Sequence, residues 1–380
     1  MRFSTKAIHV GEEPDYEGNG EVVSPIHLST TFARKDPEIP TKGYEYTRTG
    51  NPTRETLEKK LAALENGKHA LAFSSGLAAE TTLLLSVLKK GDSILASDDL
   101  YGGTRRIFNS VIGKFGVSFK TADMTEEGIE KFISGDTRVV WIETPSNPLL
   151  KVIDIGKVAR ICRENDLILV VDNTFASPYF QNPLKLGADV VLHSTTKYIN
   201  GHSDSLGGAI ITSSEELYEK VKFNQNAVGA VLSPFDSYLV MRGLKTLEVR
   251  MERHESNAKT IASYLSDHGN VESVLYPGLS SNRFHTIARR QMTGFGGMLS
   301  FYLKGGREDV RNFLSRLNYF SLAESLGGVE SLIEVPYHMT HASIPEQERR
   351  RLGVTDNLIR VSVGIENIED LIEDLQRALG

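Results

Sequence analysis

The stretch Leu167–Gly208, LILVVDNTFASPYFQNPLKLGADVVLHSTTKYINGHSDSLGG, decides how the rest of the chain reads. It contains two runs rich in branched apolar residues, Leu167 to Val171 and Ala188 to His193. Runs that are apolar throughout, rather than alternating, are typical of strands buried on both faces of a parallel sheet. Asp172 stands at the end of the first run. Lys197 follows the second, behind Ser194, Thr195 and Thr196 and ahead of a glycine-rich segment. Ligands of open parallel sheets bind outside the carboxyl ends of the strands, so both groups stand where a ligand would sit.

Working outward, the pattern on either side agrees. Upstream strand candidates are His69 to Ser75, Ser93 to Ala96, Val117 to Thr121 and Val139 to Glu143. Helical spacing appears from Thr53, through Leu57, Leu61 and Leu64 to a stop at Asn66-Gly67, and again over Leu77 to Leu88 and Ile155 to Asn165. Alternation of this kind predicts a mostly parallel α/β sheet covered on both faces. Residues 1–50 carry scattered Pro, Gly and Thr without apolar period and read as an extended arm. Downstream, a long helical stretch from about Ser237 to Ser266 is interrupted near Arg242-Gly243. It leads to strand candidates at Val271 to Tyr276, Met298 to Leu303 and Leu358 to Val363, with helices near Glu308 to Leu317 and Glu369 to Leu379. The expected organisation is an arm (1–50), a large α/β domain (51–241) and a smaller α+β domain (242–380).

Composition narrows the classes. The chain has 380 residues, 40% of them hydrophobic and 24% charged, with a net charge of −6, as for an ordinary globular protein with a large core. No apolar run approaches the roughly 20 residues of a membrane helix, and no basic block points to nucleic acid. The N-terminal residues lack the apolar core of a signal peptide. Cys162 is the single cysteine, which excludes an internal disulfide and a multi-cysteine zinc site, and its place on an apolar helix face reads as a buried thiol. A cytoplasmic location is expected.

A lysine and a carboxylate at one sheet edge are also what a buried ion pair looks like. The alternative is pyridoxal phosphate. Its aldehyde needs a lysine amine, its ring nitrogen a carboxylate, and its phosphate hydroxyls with free N–H groups at a helix N-terminus. Ser74-Ser75-Gly76-Leu77, between a strand and a helix, supplies that terminus, and Gly76 permits close approach. Ser194 and Thr196 supply hydroxyls beside Lys197. Three separate requirements met in a workable order favour the cofactor. Nucleotide motifs do not compete: no phosphate-binding G-x-x-x-x-G-K-[ST] occurs, and Gly294-Phe295-Gly296-Gly297 precedes a strand and does not complete G-x-G-x-x-G. His338 and His341 lack acidic or cysteine partners in a matching motif, so no metal is expected.

Longer motifs then carry a family resemblance. They are PIHLSTTF (Pro25 to Phe32), YEYTRTGNPTR (Tyr44 to Arg54), FSSGLAA (Phe73 to Ala79), Tyr101-Gly102-Gly103-Thr104 and ETPSNP (Glu143 to Pro148). VVDNTFASP (Val170 to Pro178), HSTTKYINGHSD (His193 to Asp204), LAESLGGVESL (Leu322 to Leu332) and LIRVSVGIE (Leu358 to Glu366) continue the series. Over nearly its whole length the chain resembles the cystathionine γ-lyase and γ-synthase group of the Cys/Met-metabolism enzymes. That resemblance implies a fold-type I (aspartate-aminotransferase-like) architecture and pyridoxal 5'-phosphate as cofactor.

It further implies residue roles. Lys197 is the cofactor-linking lysine and proton shuttle, Asp172 the partner of the pyridine nitrogen, and Tyr101 the ring-stacking residue that assists proton transfer. Gly76, Leu77, Ser194 and Thr196 form the phosphate cradle, while Thr174 and Asn147 line the cofactor and substrate. Arg360, with the planar guanidinium suited to a carboxylate, clamps the substrate, and Glu324 and Ser325 line its pocket. Tyr46 and Arg48 in the arm are implied to reach the cofactor phosphate of a neighbouring subunit. The implied assembly is a homotetramer of two active-site-sharing dimers, acting on a small amino-acid substrate.

The implied reaction is γ-elimination of cystathionine to cysteine, 2-oxobutyrate and ammonia. The alternative is γ-replacement of an O-acylhomoserine by cysteine. Glu324 resembles the glutamate of the γ-enzymes rather than the β-lyases. Gly103 stands where methionine γ-lyases typically carry cysteine, and the longer insertions of the sulfhydrylases are missing. A regulatory cofactor-binding protein is the remaining alternative, against which the joint presence of Lys197, Asp172, Tyr101 and Arg360 speaks.

Overall fold

The computed structural model describes residues 1–380 except 15, 17, 18 and 127. Helix α1 (Phe3–His9) leads through the arm to α2 (Pro52–Glu65). The start of α2 is set by sequence: Pro52 occupies the first turn, and the Asn51 side chain accepts from the N–H groups of Thr53 (2.9 Å) and Arg54 (3.4 Å). Its end is set by Asn66 in the left-handed region, φ 60°.

The large domain follows as β1 (His69–Phe73), α3 (Gly76–Val87), β2 (Ser93–Ser97), α4 (Gly102–Arg106), β3 (Ser118–Ala122), β4 (Thr137–Glu143), α5 (Ile155–Glu164), β5 (Ile168–Asp172), α6 (Ser177–Phe180), β6 (Val190–Ser194), β7 (Gly208–Thr212), α7 (Glu215–Val228) and α8 (Pro234–Leu244). Its seven strands lie in the order β1-β7-β6-β5-β4-β2-β3. All run parallel except β7, which pairs antiparallel with β1 and β6. One face packs Phe73, Leu83 and Trp141 under α3, and the other packs Val140, Ile142 and Val171 under α5. Trp141 is fully buried, and truncating such a side chain costs about 3–5 kcal/mol.

Helix α9 (Leu247–Ser266) leads to the second unit: β8 (Val271–Leu275), α10 (His285–Gln291), β9 (Met298–Leu303), α11 (Arg307–Ser315), β10 (Ser321–Leu322), β11 (Leu332–Glu334), α12 (Glu346–Leu352), β12 (Leu358–Ser362) and α13 (Ile368–Leu379). Its five strands run β10-β11-β12-β9-β8 and bury Phe301, Ile333, Val361 and Leu371. Among the described residues no helix is long and apolar enough to cross a membrane.

Three details differ from the sequence expectations. The arm is anchored rather than purely extended: α1 buries Ala7, and buried Glu12 pairs with Lys60 of α2 and with Lys245 at 2.9 Å. The expected interruption of the long helical stretch lies at Lys245-Thr246 rather than Arg242-Gly243, so the expected boundary at 241/242 falls inside α8. Strand β7 and helix α7 carry no counterpart in the expected elements. Gly208 opens β7 where an added Cβ would lie 2.3 Å from the Ser75 carbonyl oxygen, so a strand that close to the head of α3 needs glycine.

Candidate active site

A cavity of about 460 Å³ opens at the carboxyl ends of β1, β4, β5 and β6. Gly76, Leu77, Tyr101, Asn147, Asp172, Thr174, Ser194, Thr196 and Lys197 line it from the large domain, and Glu324, Ser325 and Arg360 from the smaller one. The sequence-predicted residues therefore converge, with two exceptions. Tyr46 and Arg48 do not line it. Tyr46 is 39% exposed, with the Arg48 guanidinium 5.2 Å from its ring centre. Their loop is held by buried Arg54, which donates to the Thr47 carbonyl (2.8 Å) and the Arg48 carbonyl (3.2 Å). Behind the loop lies a separate hollow of about 420 Å³ lined by Tyr44, Glu58 and Lys222.

Lys197 sits on a braced turn. The Gly201 N–H donates to its carbonyl at 2.8 Å. Arg250 of α9 donates to the carbonyls of Tyr198 (2.7 Å) and Ile199 (3.3 Å). Gly243 lets α8 press against this turn, since a Cβ there would meet the Asn200 carbonyl oxygen at 2.1 Å. The Lys197 amine donates to Ser325 Oγ at 2.7 Å. Burial, reinforced by the Arg360 charge and opposed by Glu334 and Glu324, brings that amine down to about 8.

Asp172 accepts from the Thr174 N–H at 2.9 Å, and Thr174 Oγ1 accepts from the Ser194 N–H at 2.9 Å, tying the ends of β5 and β6 together. Burial lifts the Asp172 carboxyl above its ordinary range, against the Thr174 hydrogen bonds and the influence of His193. Beneath it, His193 Nε2 lies 2.5 Å from Glu65, and Asn173 donates to Glu65 (2.8 Å) and to the Gln181 carbonyl (2.8 Å). This network fixes the strand ends from the far side.

The head of α3 is capped by Ser75 Oγ, which accepts from the Ala78 N–H at 3.0 Å. The N–H groups of Gly76 and Leu77 have no partner among the described residues. An added Cβ at Gly76 would come within 3.3 Å of Ser194 Cβ, so the glycine keeps helix and lysine turn close. Thr196 Oγ1 donates to the Gly207 carbonyl (3.2 Å) and accepts from the Gly207 N–H (3.0 Å), which closes the loop around the cradle.

At the opposite wall Arg360 of β12 is 2% exposed. It pairs with Glu334 (2.9 Å) and donates to Asn147 Oδ1 (3.0 Å) and the Ser325 carbonyl (2.7 Å), while its Nε has no partner among the described residues. Ser325 adopts φ 91°, a left-handed conformation costing a non-glycine residue about 1–3 kcal/mol. In return one residue engages Lys197 with its side chain and Arg360 with its backbone. Sequence reasoning missed Glu334. The signal was a charge directly across from Arg360 in the β11–β12 register, since a buried arginine needs a counter-charge.

Tyr101 donates its N–H to Glu143 Oε2 at 2.9 Å. Burial, with Glu324, Glu80 and Glu143 nearby and Arg106 opposing, holds its phenol above the usual value. A Cβ on Gly103 would lie 2.3 Å from the Tyr101 ring, so any side chain there displaces the tyrosine. His341 is buried and engaged by the Asn147 carbonyl (3.2 Å) and Thr340 (2.9 Å). Among the described residues no group of His, Cys, Asp and Glu could hold a metal ion. Cys162 is buried, which pushes its thiol up to about 12.

Pyridoxal phosphate fits this arrangement. Asp172 is a buried carboxylate with no ion-pair partner among the described residues, and a protonated ring nitrogen supplies the missing charge. The free N–H groups at α3 and the Ser194 hydroxyl suit a phosphate. Fold and cavity together define the class: an α/β enzyme that activates amino-acid substrates through an aldehyde cofactor. The comparison with known proteins is sharper. Residues 4–380 match the family model described as Cys/Met metabolism PLP-dependent enzyme, and the chain belongs to that family. It is 53% identical over 379 residues to a cystathionine gamma-lyase of Dictyostelium discoideum, covering 100% of this chain and 97% of that protein. The crystal structure of metB from Corynebacterium glutamicum superposes with a TM-score of 0.97 at 49% identity, covering 100% and 98%. That of cystathionine gamma synthase from Xanthomonas oryzae in complex with cystathionine gives 0.97 at 44%, with the same coverage. The expected fold type and cofactor class are borne out.

Proposed function

We propose that the chain splits cystathionine and one water into cysteine, 2-oxobutyrate and ammonia. The observation that carries this reading is the near-complete, 53% identical match to a protein named cystathionine gamma-lyase, joined to a cavity that fits each group of such a substrate. When bound, pyridoxal phosphate supplies a carbonyl for the substrate amine and a ring that withdraws electrons from the α-carbon.

In this reading Asp172 holds the proton on the ring nitrogen, and Gly76, Leu77, Ser194 and Thr196 hold the phosphate. Arg360, fixed by Glu334, Asn147 and Ser325, orients the substrate carboxylate through a preset fork. Lys197, whose amine is partly neutral near pH 8, takes a proton from the α-carbon and serves the β-carbon as well. Tyr101 stacks over the ring and, kept protonated, supplies a proton to the departing sulfur. Glu324 and Ser325 line the substrate's distal end. Tyr46 and Arg48, exposed and outside their own cavity, support the arm's service to a neighbouring subunit, and with it a homotetramer of two site-sharing dimers. A cytoplasmic location is supported by the single unpaired, buried cysteine.

The second reading is γ-replacement, favoured by the equally close superposition on a cystathionine gamma synthase. Methionine γ-elimination is disfavoured by Gly103, which stands where methionine γ-lyases typically carry cysteine. The test supplies cystathionine alone and assays cysteine and 2-oxobutyrate. Formation of both supports the lyase. No reaction, together with cystathionine synthesis from an O-acylhomoserine and cysteine, overturns it in favour of the synthase.

A further inference from the structure

Glu80 lines the cavity and has no task in the chemistry above. It lies one turn beyond Gly76 on α3 and is 2% exposed. Its Oε1 accepts from the Thr104 hydroxyl at 3.1 Å. Its Oε2 is buried without any partner, and no cation pairs with either oxygen among the described residues. Two more buried carboxyls, Asp172 and Glu143, line the same cavity from the paired ends of β5 and β4.

Three adjacent buried anions are not sustainable, because burial strips each of solvent and each repels the others. Backbone hydrogen bonds divide them. Asp172 receives the Thr174 N–H and Glu143 the Tyr101 N–H, which favour negative charge, although burial and Asp172 still hold the Glu143 carboxyl well above its usual range. Among the described residues Glu80 receives one hydroxyl and no N–H. Burial first, then Asp172, holds its carboxyl well above the usual range. Among the described residues no cation pairs with Glu80: on α4 Arg105 pairs with Glu348 and Arg106 acts on Tyr101, while Lys197 and Arg360 of the same cavity engage Ser325 and Glu334. Asp172 comes from β5, Glu143 from β4 and Tyr101 from the head of α4. His193 of β6 is engaged by Glu65, His69 of β1 faces Glu215, and Tyr218 and Lys222 of α7 line the separate hollow near Glu58.

We propose that Glu80, on the cavity wall, is a cofactor-positioning residue, a neutral carboxylic acid whose unpartnered Oε2 hydroxyl serves as a hydrogen-bond donor and leaves Asp172 as the ionised partner of the ring nitrogen. The inference rests on the reading of the cavity as a pyridoxal-phosphate site. It makes the grip on the cofactor weaken as Glu80 loses its proton in alkali.

The test compares holoenzyme carrying Glu80, Glu80→Gln and Glu80→Leu by cofactor dissociation constant from pH 6 to 10, followed through cofactor absorbance, with circular dichroism to certify folding. Glutamine keeps a neutral donor, so its affinity at pH 7 should match the parent within about twofold, and its curve should stay flatter in alkali. Lys197 titrates in both proteins, so the difference between the curves carries the result. The leucine variant should bind about tenfold more weakly at pH 7, the effect of one lost buried hydrogen bond. A glutamine variant about tenfold weaker at pH 7, or one that follows the parent's alkaline loss, overturns the proposal even if the leucine variant does not fold. A folded leucine variant with parental affinity also overturns it. A parent protein that holds no pyridoxal phosphate defeats the site reading instead.

Discussion

At one end of the cavity, beside β1 and β6, the chain presents free N–H groups, small hydroxyls and glycine. At the other, beside β4 and β5, it presents Glu143, Asp172 and Glu80, all buried. The first end is neutral and suits a dianionic group through hydrogen bonds and a helix dipole. The second end lacks positive charge and suits a cationic ring nitrogen. Lys197 stands between them, with Arg360 across the cavity. The difference teaches that one end holds the cofactor's phosphate while the other positions its ring and tunes reactivity, although both are assembled from strand ends of one sheet.

Replacement of Lys197 strikes both functions at once. Lys197→Ala should lower turnover by about 10³-fold or more and abolish the absorbance of the lysine-linked cofactor. An active, normally coloured variant would break the comparison at its centre. Asp172→Asn should cost on the order of 10²–10³ in kcat with a much smaller change in cofactor affinity, because it alters charge and keeps the shape. If affinity fell as steeply as kcat, the charge at Asp172 would serve binding as much as reactivity. Arg360→Lys keeps the charge facing Glu334 but loses the fork, so KM should rise roughly 10- to 100-fold with kcat changed less, as steady-state kinetics would show.

The pH dependence of loading sharpens the role of Lys197. Only the neutral amine attacks an aldehyde, and burial brings this amine down to about 8. The rate of pyridoxal phosphate uptake by apoprotein should therefore climb as pH approaches 8 and level off above it. A climb continuing to pH 10 would mean an ordinary lysine. The smallest effect belongs to the neutral end. Ser194→Ala removes one of several phosphate contacts and should weaken cofactor binding about 2- to 10-fold, leaving kcat nearly unchanged in the saturated enzyme.

The acidic and neutral ends were not equally legible in the sequence. Asp172, Lys197, Ser194 and Gly76 were readable because continuous apolar runs mark parallel strands, and chemistry sits just past their ends. Glu80 was hidden. Among Thr81, Thr82 and an alanine pair it resembles a solvent-facing helix position, yet in the fold it is buried beside Thr104 of α4 and the strand-end carboxylate Asp172. The φ of Ser325 and the Glu334 counter-charge were likewise hidden, because a turn in αL and a cross-strand pair depend on register rather than on local pattern. In the arm, apolar spacing gave no sign of α1, whose anchoring comes from Glu12 reaching two distant lysines. Strand β7 escaped because it opens on glycine directly after a glycine-rich turn.

The most direct test of the account is the identity of the lysine that carries the cofactor. The purified, cofactor-loaded protein is reduced with borohydride and digested, and its peptides are mapped by mass spectrometry. The account predicts the phosphopyridoxyl group on Lys197 alone. Its recovery on another lysine, or on none while the protein remains active, would contradict it.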